Sequence, residues 1–559
     1  MAKIEFFALG GLDEHGKACY TLTINSDVYI INCGISTPPA VSLGVKKIIP
    51  DFNWINQNKR AIKGIFVLVP KYENFGGLEF IYNAIPTIPI YTSDVGAVII
   101  KTYFEKRVNN QYNNRLNIRI INHLKTERIG GTSFTPFLIS NTMPYALGIV
   151  FNTNDGGIVY IDDFVVSSNK NPLFQDELYE INKITKGRNL MLITGVGQAG
   201  KHLGFANPSY RISQYFDSIL IDAPGRVIIG CYDDDAYKIL TLVLIAALKE
   251  RSVNIFSNTF NELFKFLVEK QYFAVKNLNV IPDSDIDASK NCVVIVTGTP
   301  QRLFSKLEKI ISDDDDKIHL REDDTFIFAA PTIAGYEKSE ADLFDDVART
   351  SLDRIYKLSS KIIAASAANE DHKFLIDLLK PKYIIPVSGL YMNFADYVKA
   401  AIQTGFAKQN IFLLDNGQCL SINNAEAEDR KKLVKLETQF IGSAGVLDVG
   451  ASSMFEREQM RENGTVLVSL YVNKDKTKIE KSNYDVVGVT NLSENNKALI
   501  TQINEDANGQ IDKLLVEAHN QQQLDIKNLK NLIRKIIAKQ YEKKFNKRPL
   551  VLTTIIFAK

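Results

Sequence analysis

The sequence predicts an α/β fold of stacked sheets covered by helices, and three observations lead there. Short apolar runs alternate with turn residues up to about residue 205. A strand-then-helix rhythm takes over from about Tyr210, and strand-like and helical segments mix again toward the C-terminus. At 559 residues the chain exceeds one ordinary hydrophobic core, so roughly two to four domains are expected.

The first region earns its strands from apolar runs at Ile4 to Leu9, Cys19 to Ile24, Val28 to Cys33, Ile62 to Val69, Gly148 to Asn152 and Gly157 to Ile161. Gly10-Gly11, Asn25-Ser26-Asp27 and Asn154-Asp155-Gly156 punctuate them, and Ser93 is placed to cap a helix. In the second region Val227 to Cys231 precedes a helix near Tyr237 to Glu250, and Val253 to Phe256 precedes Glu262 to Gln271. Val293 to Val296 then precedes Arg302 to Ile311, which together predict a separate α/β unit with a partly parallel sheet. Strands return at Ile362 to Ala365, Tyr383 to Val387 and Phe412 to Leu414, and the charged stretch Glu426 to Lys432 reads as a connector. The last unit predicts strands near Thr465 to Val472, Val486 to Thr490 and Leu550 to Phe557. Its helices fall near Ile511 to Ala518 and Ile526 to Phe545, the latter capped by Asp525.

Composition bounds the function. With 45% hydrophobic and 23% charged residues the chain is globular. Its net charge of +2, from 66 basic and 64 acidic residues, makes no global demand for a nucleic acid, so an RNA-binding surface must be a local patch. No signal-peptide pattern precedes Ile4, and no apolar stretch is long and uncharged enough to span a bilayer, which predicts a cytoplasmic protein without membrane contact. Cys19, Cys33, Cys231, Cys292 and Cys419 are too scattered for a zinc motif and read as reduced, buried thiols.

An ordered series of short motifs runs through the chain: Leu9-Gly10-Gly11-Leu12-Asp13-Glu14-His15-Gly16-Lys17, Asn32-Cys33-Gly34, Ile49-Pro50-Asp51, Gly76-Gly77-Leu78, Ile161-Asp162-Asp163-Phe164, Pro386-Val387-Ser388-Gly389 and Asp415-Asn416-Gly417. In this order and spacing the sequence resembles the bacterial ribonuclease J family over nearly its whole length. The resemblance implies an α/β fold of αββα character: a metallo-β-lactamase-like sandwich interrupted by an α/β β-CASP domain, plus a small C-terminal α/β domain. The implied boundaries are 1–205, 206–350, 351–425 for the completing part of the sandwich, 426–445 for a connector and 446–559 for the C-terminal domain.

The same resemblance implies a two-metal hydrolytic site, and its ligand positions are mostly gone. Where the family carries His-x-His-x-Asp-His, this chain has Val69, Lys71, Glu73 and Asn74. Asn141 stands in place of a further histidine, Ala364-Ala365-Ser366-Ala367-Ala368 in place of His-Val-Ser-Gly-His, and Ser388 in place of the last expected ligand. Asp163 alone keeps its position, that of a bridging carboxylate. A valine or alanine side chain offers a metal no lone pair, and a lysine ammonium disfavours a cation beside it. Lys71 is expected to pair with Glu73 or Asp163, with RNA phosphate contact as the other reading. His15, His123, His202, His319, His372 and His519 are scattered, and none has a second histidine at ligand spacing; surface or hydrogen-bonding roles are expected for His15 and His372.

Remaining candidates are weighed against plainer readings. Thr194 to Lys201 lacks P-loop spacing and reads as a turn leaving a strand, Thr297 to Gln301 as a strand-to-helix turn, and Asp313 to Asp316 as a solvated loop. Candidate RNA-phosphate contacts are Ser366 and Ser388, together with a basic helix carrying Arg534, Lys535, Lys539, Lys543, Lys544, Lys547 and Arg548, whose Leu529, Leu532, Ile533, Ile536 and Ile537 are expected to face inward.

The functional expectation is therefore a ribonuclease J-like protein of RNA processing or decay, catalytically inactive or impaired and needing no cofactor. By the resemblance it would act as partner or scaffold for an active paralogue in a homo- or hetero-oligomer, with RNA as candidate ligand or with RNA binding lost. The alternative is an active exo- or endoribonuclease with a rearranged site around Glu73, Asp162 and Asp163, taking magnesium, manganese or zinc.

Overall fold

The computed structural model describes residues 2–38, 44–107, 116–166, 171–197, 199–200, 204–206, 209–358, 366–428, 433–442, 447–449, 451–491, 493–520 and 526–558. Two compact units emerge: one of Met1–Ser42 and Lys46–Ile441, the other of Leu43–Val45 and Gly442–Lys559. Asp525 and the segment 359–365, with the expected strand Ile362 to Ala365, lie outside the described residues.

The first unit is built on a two-sheet sandwich. An eight-stranded sheet runs, edge to edge, Glu426–Glu428, Leu420–Asn423, Lys3–Gly10, Cys19–Ile24, Asp27–Ile31, Ile62–Phe66, Ile90–Thr92 and Ile118–Ile120. A six-stranded sheet runs Tyr383–Val387, Asn189–Gly195, Gly156–Ile161, Leu147–Thr153, Thr132–Leu138 and Glu127–Ile129. The period-2 alternation of Phe6 and Phe7 explains how both faces of the first sheet are filled. Phe6, Tyr29 and Phe66 point into the sandwich and meet Phe134, Phe151 and Tyr160 of the second sheet, with Tyr29–Phe151 ring centroids 5.2 Å apart and Phe66–Phe134 5.3 Å. Phe7, Ile30 and Ile65 point the other way, against Leu78, Ile81, Ile100 and Phe104 on the helices Leu78–Ala84 and Asp94–Arg107. Ser93 caps the second of these, accepting a hydrogen bond from the Gly96 amide at 3.1 Å.

After Gly195 the chain leaves the six-stranded sheet, builds a further sheet, and returns at Tyr383–Val387 to pair in parallel with the strand it left. The inserted sheet is ordered Ser252–Phe256, Cys292–Gly298, Val227–Tyr232, Thr325–Phe328 and Arg354–Lys357, with every neighbouring pair parallel. Parallel neighbours need crossovers, and Ala236–Leu248, Phe260–Glu269, Pro300–Ile311 and Glu337–Ala348 supply them. Nearly continuous burial along Cys292–Gly298 follows, since helices cover both faces. The turn at Thr297 to Gln301 does join strand to helix, Asp313 to Asp316 is largely solvent-exposed, and all five cysteines are buried.

In the second unit the strand Thr465–Val472 pairs antiparallel with Ile479–Val487 and parallel with Leu550–Phe557. Helix Glu494–Asn520 packs through Ile503, Ala507, Ile511 and Leu515, and helix Ile526–Phe545 through Leu529, Ile533, Ile537 and Tyr541. Each set recurs every fourth residue and forms one apolar stripe.

Several expectations are corrected. Phe412 to Leu414 form no strand: Ile411 makes a single bridge to Ile384, and the Phe412 amide bonds the Ile384 carbonyl at 2.9 Å before the chain turns at Asp415 to Gly417. Val486 to Thr490 is not a strand of its own, because pairing with Thr465–Val472 pulls the strand back to Ile479–Val487. The helix expected at Ile511 to Ala518 spans Glu494–Asn520, and Leu532 is 38% exposed instead of inward-facing. The stretch 426–445 contains the edge strand Glu426–Glu428 and the strand Gln439–Gly442.

Arg226 ties the inserted sheet together. Its fully buried guanidinium donates to Asp324 Oδ1 and Oδ2 at 2.9 and 2.6 Å, to Asp287 at 2.7 Å and to the His319 carbonyl at 2.6 Å. Removing one partner of so buried a pair strands the other charge in a dry interior. Arg226→Met is expected to cost about 3–5 kcal/mol in chemical denaturation, and R226M/D324N less than the single change.

Candidate functional site

The described positions at which the resemblance implies metal ligands lie at one edge of the sandwich, where strand ends from both sheets meet the carboxyl ends of the inserted parallel strands. Asp162 and Asp163 follow directly on Gly156–Ile161; Lys71, Glu73 and Asn74 follow Ile62–Phe66; Ser388 follows Tyr383–Val387. From the insert, Asp233 and Asp234 follow Val227–Tyr232 and Thr299 follows Cys292–Gly298, the two loops being joined by the Asp233 amide on the Gly298 carbonyl at 3.1 Å. Carboxyl ends of parallel strands are where open α/β sheets receive ligands.

Asp162 and Asp163 accept from amide, hydroxyl and ammonium donors. Asp162 Oδ2 accepts from Asn74 Nδ2 at 3.0 Å and Asn32 Nδ2 at 3.1 Å, while Ser388 Oγ lies 3.5 Å from its Oδ1. Asp163 accepts from Lys71 Nζ at 3.3 Å and from the Ser366 hydroxyl, and Asn141 Nδ2 donates to its backbone carbonyl. Tyr20 OH bonds Ser388 Oγ at 2.8 Å, and Asn32 Nδ2 also reaches Tyr160 OH at 3.1 Å. Asn32 thereby leaves its buried Oδ1 without a hydrogen-bond partner among the described residues. Asn32 and Ser388 both adopt left-handed backbone, with φ of 61° and 54°. Such strain in a non-glycine residue persists only where the surroundings over-determine it.

Electrostatically the cluster is one ammonium among carboxylates. Burial lowers the affinity of Lys71 for its proton, but the Asp163, Glu73, Asp234 and Asp162 charges outweigh burial and hold the amine above the ordinary lysine range. Burial raises Asp162, helped by Asp163 and opposed by the Asn32 donor and Lys71. Burial likewise raises Asp234, with Lys71 opposing. Glu73 is pushed up to about 7 by loss of water around it, with Lys71 opposing and Asp234, Asp162 and Asp163 reinforcing. Its side chain still opens to solvent within the cleft, which tempers that shift.

A narrow cavity of about 70 Å³ adjoins the cluster, lined by Lys71, Tyr72, Met143, Asp233, Asp234 and Thr299 among others. At about 30 Å³ per water it holds roughly two, far below the roughly 300 Å³ at which ligand pockets begin.

Comparison with known proteins gives this geometry a lineage. Residues 453–557 match the ribonuclease J C-terminal domain and residues 224–347 the ribonuclease J β-CASP domain. Over essentially its whole length the chain is 22% identical to ribonuclease J2 of Bacillus subtilis, covering 99% of this chain and 98% of that protein. The chain belongs to the ribonuclease J family. It is also 40% identical, over the full length of both chains, to the uncharacterized MG423 homolog of Mycoplasma pneumoniae, and equally to MG423 of Mycoplasma genitalium. A solved structure of a protein of unknown function from Enterococcus faecalis shares the fold at a TM-score of 0.51, with 13% identity over 75% of this chain and 100% of that one.

The residues present do not fit the metals that the ribonuclease J resemblance implies. Val69 is buried in the sandwich core, Lys71 brings a positive charge into the cluster, and Asn74 turns its amide nitrogen to Asp162. Among the described residues no three His, Cys, Asp or Glu side chains group as ligands for one ion. Ala364 and Ala365 lie outside the described residues. Ser366 and Ser388 direct their hydroxyls at carboxylates, surroundings that repel a phosphate, and Lys71 pairs with Asp163. His15 is exposed, whereas His372 is only 1% exposed and hydrogen-bonded at neither ring nitrogen among the described residues. Packed on Phe164 and Tyr397, His372 has its pKa lowered to about 3 by burial.

Asp234, Asn32 and Tyr20 escaped the sequence reading. The Asp233-Asp234-Asp235 run directly after an apolar strand was the available signal, since a strand-end carboxylate run in a parallel sheet marks a ligand-side loop.

Glu73 yields a pH prediction. Its folded-state value of about 7 exceeds the ordinary 4.5, so the stability tied to its proton is complete below about 4.5 and fades as pH rises through 7. Glu73→Gln is expected to match the wild type near pH 4.5 and to melt higher than it near pH 8, as read by thermal denaturation at the two pH values.

Proposed function

We propose that this ribonuclease J-family protein is a non-catalytic member of an RNA-processing or decay assembly in the cytoplasm. It serves as partner or scaffold for an active paralogue within an oligomer, and it contacts RNA through its surface. The observation that carries this reading is the Lys71–Asp163 ion pair at 3.3 Å, which puts a fixed ammonium where hydrolysis would need a metal-bound water. Neutral amide and hydroxyl donors complete the same carboxylates, and among the described residues no histidine is hydrogen-bonded to them.

Two features favour an interaction role. The sheet of the second unit carries Leu467, Tyr471, Leu552 and Ile556 on its outer face, each 41 to 42% exposed. Helix Ile526–Phe545 presents Lys539 and Lys543 to solvent away from its buried stripe of Leu529, Ile533 and Ile537, and Lys544 at its last turn is exposed as well. Among the described residues no helix is long and apolar enough to cross a membrane.

The test is cleavage of a 5′-monophosphorylated single-stranded RNA by the purified protein with Mg²⁺ or Mn²⁺ and a chelator control. No time-dependent product is expected. Metal-dependent product that vanishes in Asp163→Ala would replace this reading with that of a rebuilt active site.

RNA contact is tested separately by titrating K539Q/K543Q/K544Q with single-stranded RNA over a range of salt. Three lost phosphate contacts are expected to reduce the slope of log affinity against log salt by about 2. Lys71→Ala, which alters only the interior cluster, is expected to leave that affinity unchanged.

A further inference from the structure

We infer that the Lys71 ammonium takes the place of a divalent cation in this pocket, so that the fold carries its own counter-charge and needs no metal to hold Asp162 and Asp163 side by side. Adjacent carboxylates at a sheet end repel one another, and burial strengthens the repulsion by removing water. Glu73 and Asp234 add to the negative field. Asn32, Asn74, Ser366 and Ser388 supply hydrogen bonds but no charge. Lys238, the next basic group near Asp234, is engaged with Asp235 at 2.6 Å.

Lys71 is suited to the task in three respects. Only 8% of the residue is exposed, so salt screens its charge little. Its Nζ sits 3.3 Å from Asp163, and the charges of Glu73, Asp234 and Asp162 act on it from farther off. An ammonium is a compact point charge on a flexible stem, able to settle among carboxylates of irregular geometry, which a planar guanidinium could not do. This inference stands apart from the RNA reading, because its readout is stability.

The experiment compares thermal melting of the full-length wild type, Lys71→Met and the double variant K71M/D163N, each with EDTA and with millimolar Mn²⁺. Methionine keeps the apolar stem and deletes the charge. The wild type is expected to melt at the same temperature in both conditions. K71M is expected to fall by about 5 °C in EDTA. Either Mn²⁺ or the D163N change is expected to return at least half of that loss. The inference is overturned if EDTA destabilises the wild type, if K71M melts like the wild type, or if neither Mn²⁺ nor D163N restores it. Should K71M fail to fold, a folded K71M/D163N protein supports the inference, and a double variant that also fails to fold overturns it.

Discussion

The parallel pairing of Asn189–Gly195 with Tyr383–Val387 is the constraint on which the first unit depends. Residues 196–382 intervene, yet Met191 to Gly195 register one to one against Tyr383 to Val387. Closing so long an excursion costs chain entropy only slowly with length, and the burial of both strands offsets it. Because the strands are locked, everything at their carboxyl ends is locked too. Ser388 emerges beside Asp162, Val196 donates its amide to the Val387 carbonyl at 2.9 Å, and Ser388 donates its own to Gly11 at 3.1 Å. The site is therefore a by-product of sheet registry, present whether or not any chemistry uses it.

Registry fixes positions but leaves charge to be settled locally. A pocket that gathers Asp162, Asp163, Glu73 and Asp234 has to be compensated, and the described contacts show how. Amides from Asn32 and Asn74 satisfy one Asp162 oxygen, and a serine hydroxyl and the Lys71 ammonium satisfy Asp163. A partly buried ion pair of this kind adds little net stability, but removing one member is costly. The arrangement explains why Lys71 and Asp163 belong together: each offsets the charge of the other.

Much of this was legible in the chain. Period-2 alternation at Phe6 and Phe7 and the four-residue recurrence from Leu529 to Tyr541 report local geometry that burial then enforces. That Val69, Lys71, Asn74 and Asn141 stand where the resemblance implies imidazoles rests on the order of the surrounding motifs. Less legible were features set by partners distant in sequence. The strand near Val486 is placed by its pairing with Thr465–Val472 and not by its own apolar residues, and Phe412 to Leu414, though apolar, meet only the end of one strand. Asp234 reaches the cluster because the insert docks there, a fact of tertiary approach. His372 illustrates the same limit: its type suggested polar contacts, while Phe164 and Tyr397 enclose it.

Val69, Asn74 and Asn141, at positions where the resemblance implies ligands, fit the fold without strain on its core. Metal ligands are polar groups held in a crowded interior, a liability unless the metal is present. Val69 has joined the sandwich core beside Leu68 and is fully buried. Burying a valine contributes about 1.5–3 kcal/mol where an unliganded imidazole would cost free energy. Asn74 and Asn141 keep roughly the shape of the histidines the resemblance implies, and each finds fixed hydrogen-bond partners within the chain. A side chain that is satisfied within the chain, as those of Val69, Asn74 and Asn141 are, supports the fold at such a position.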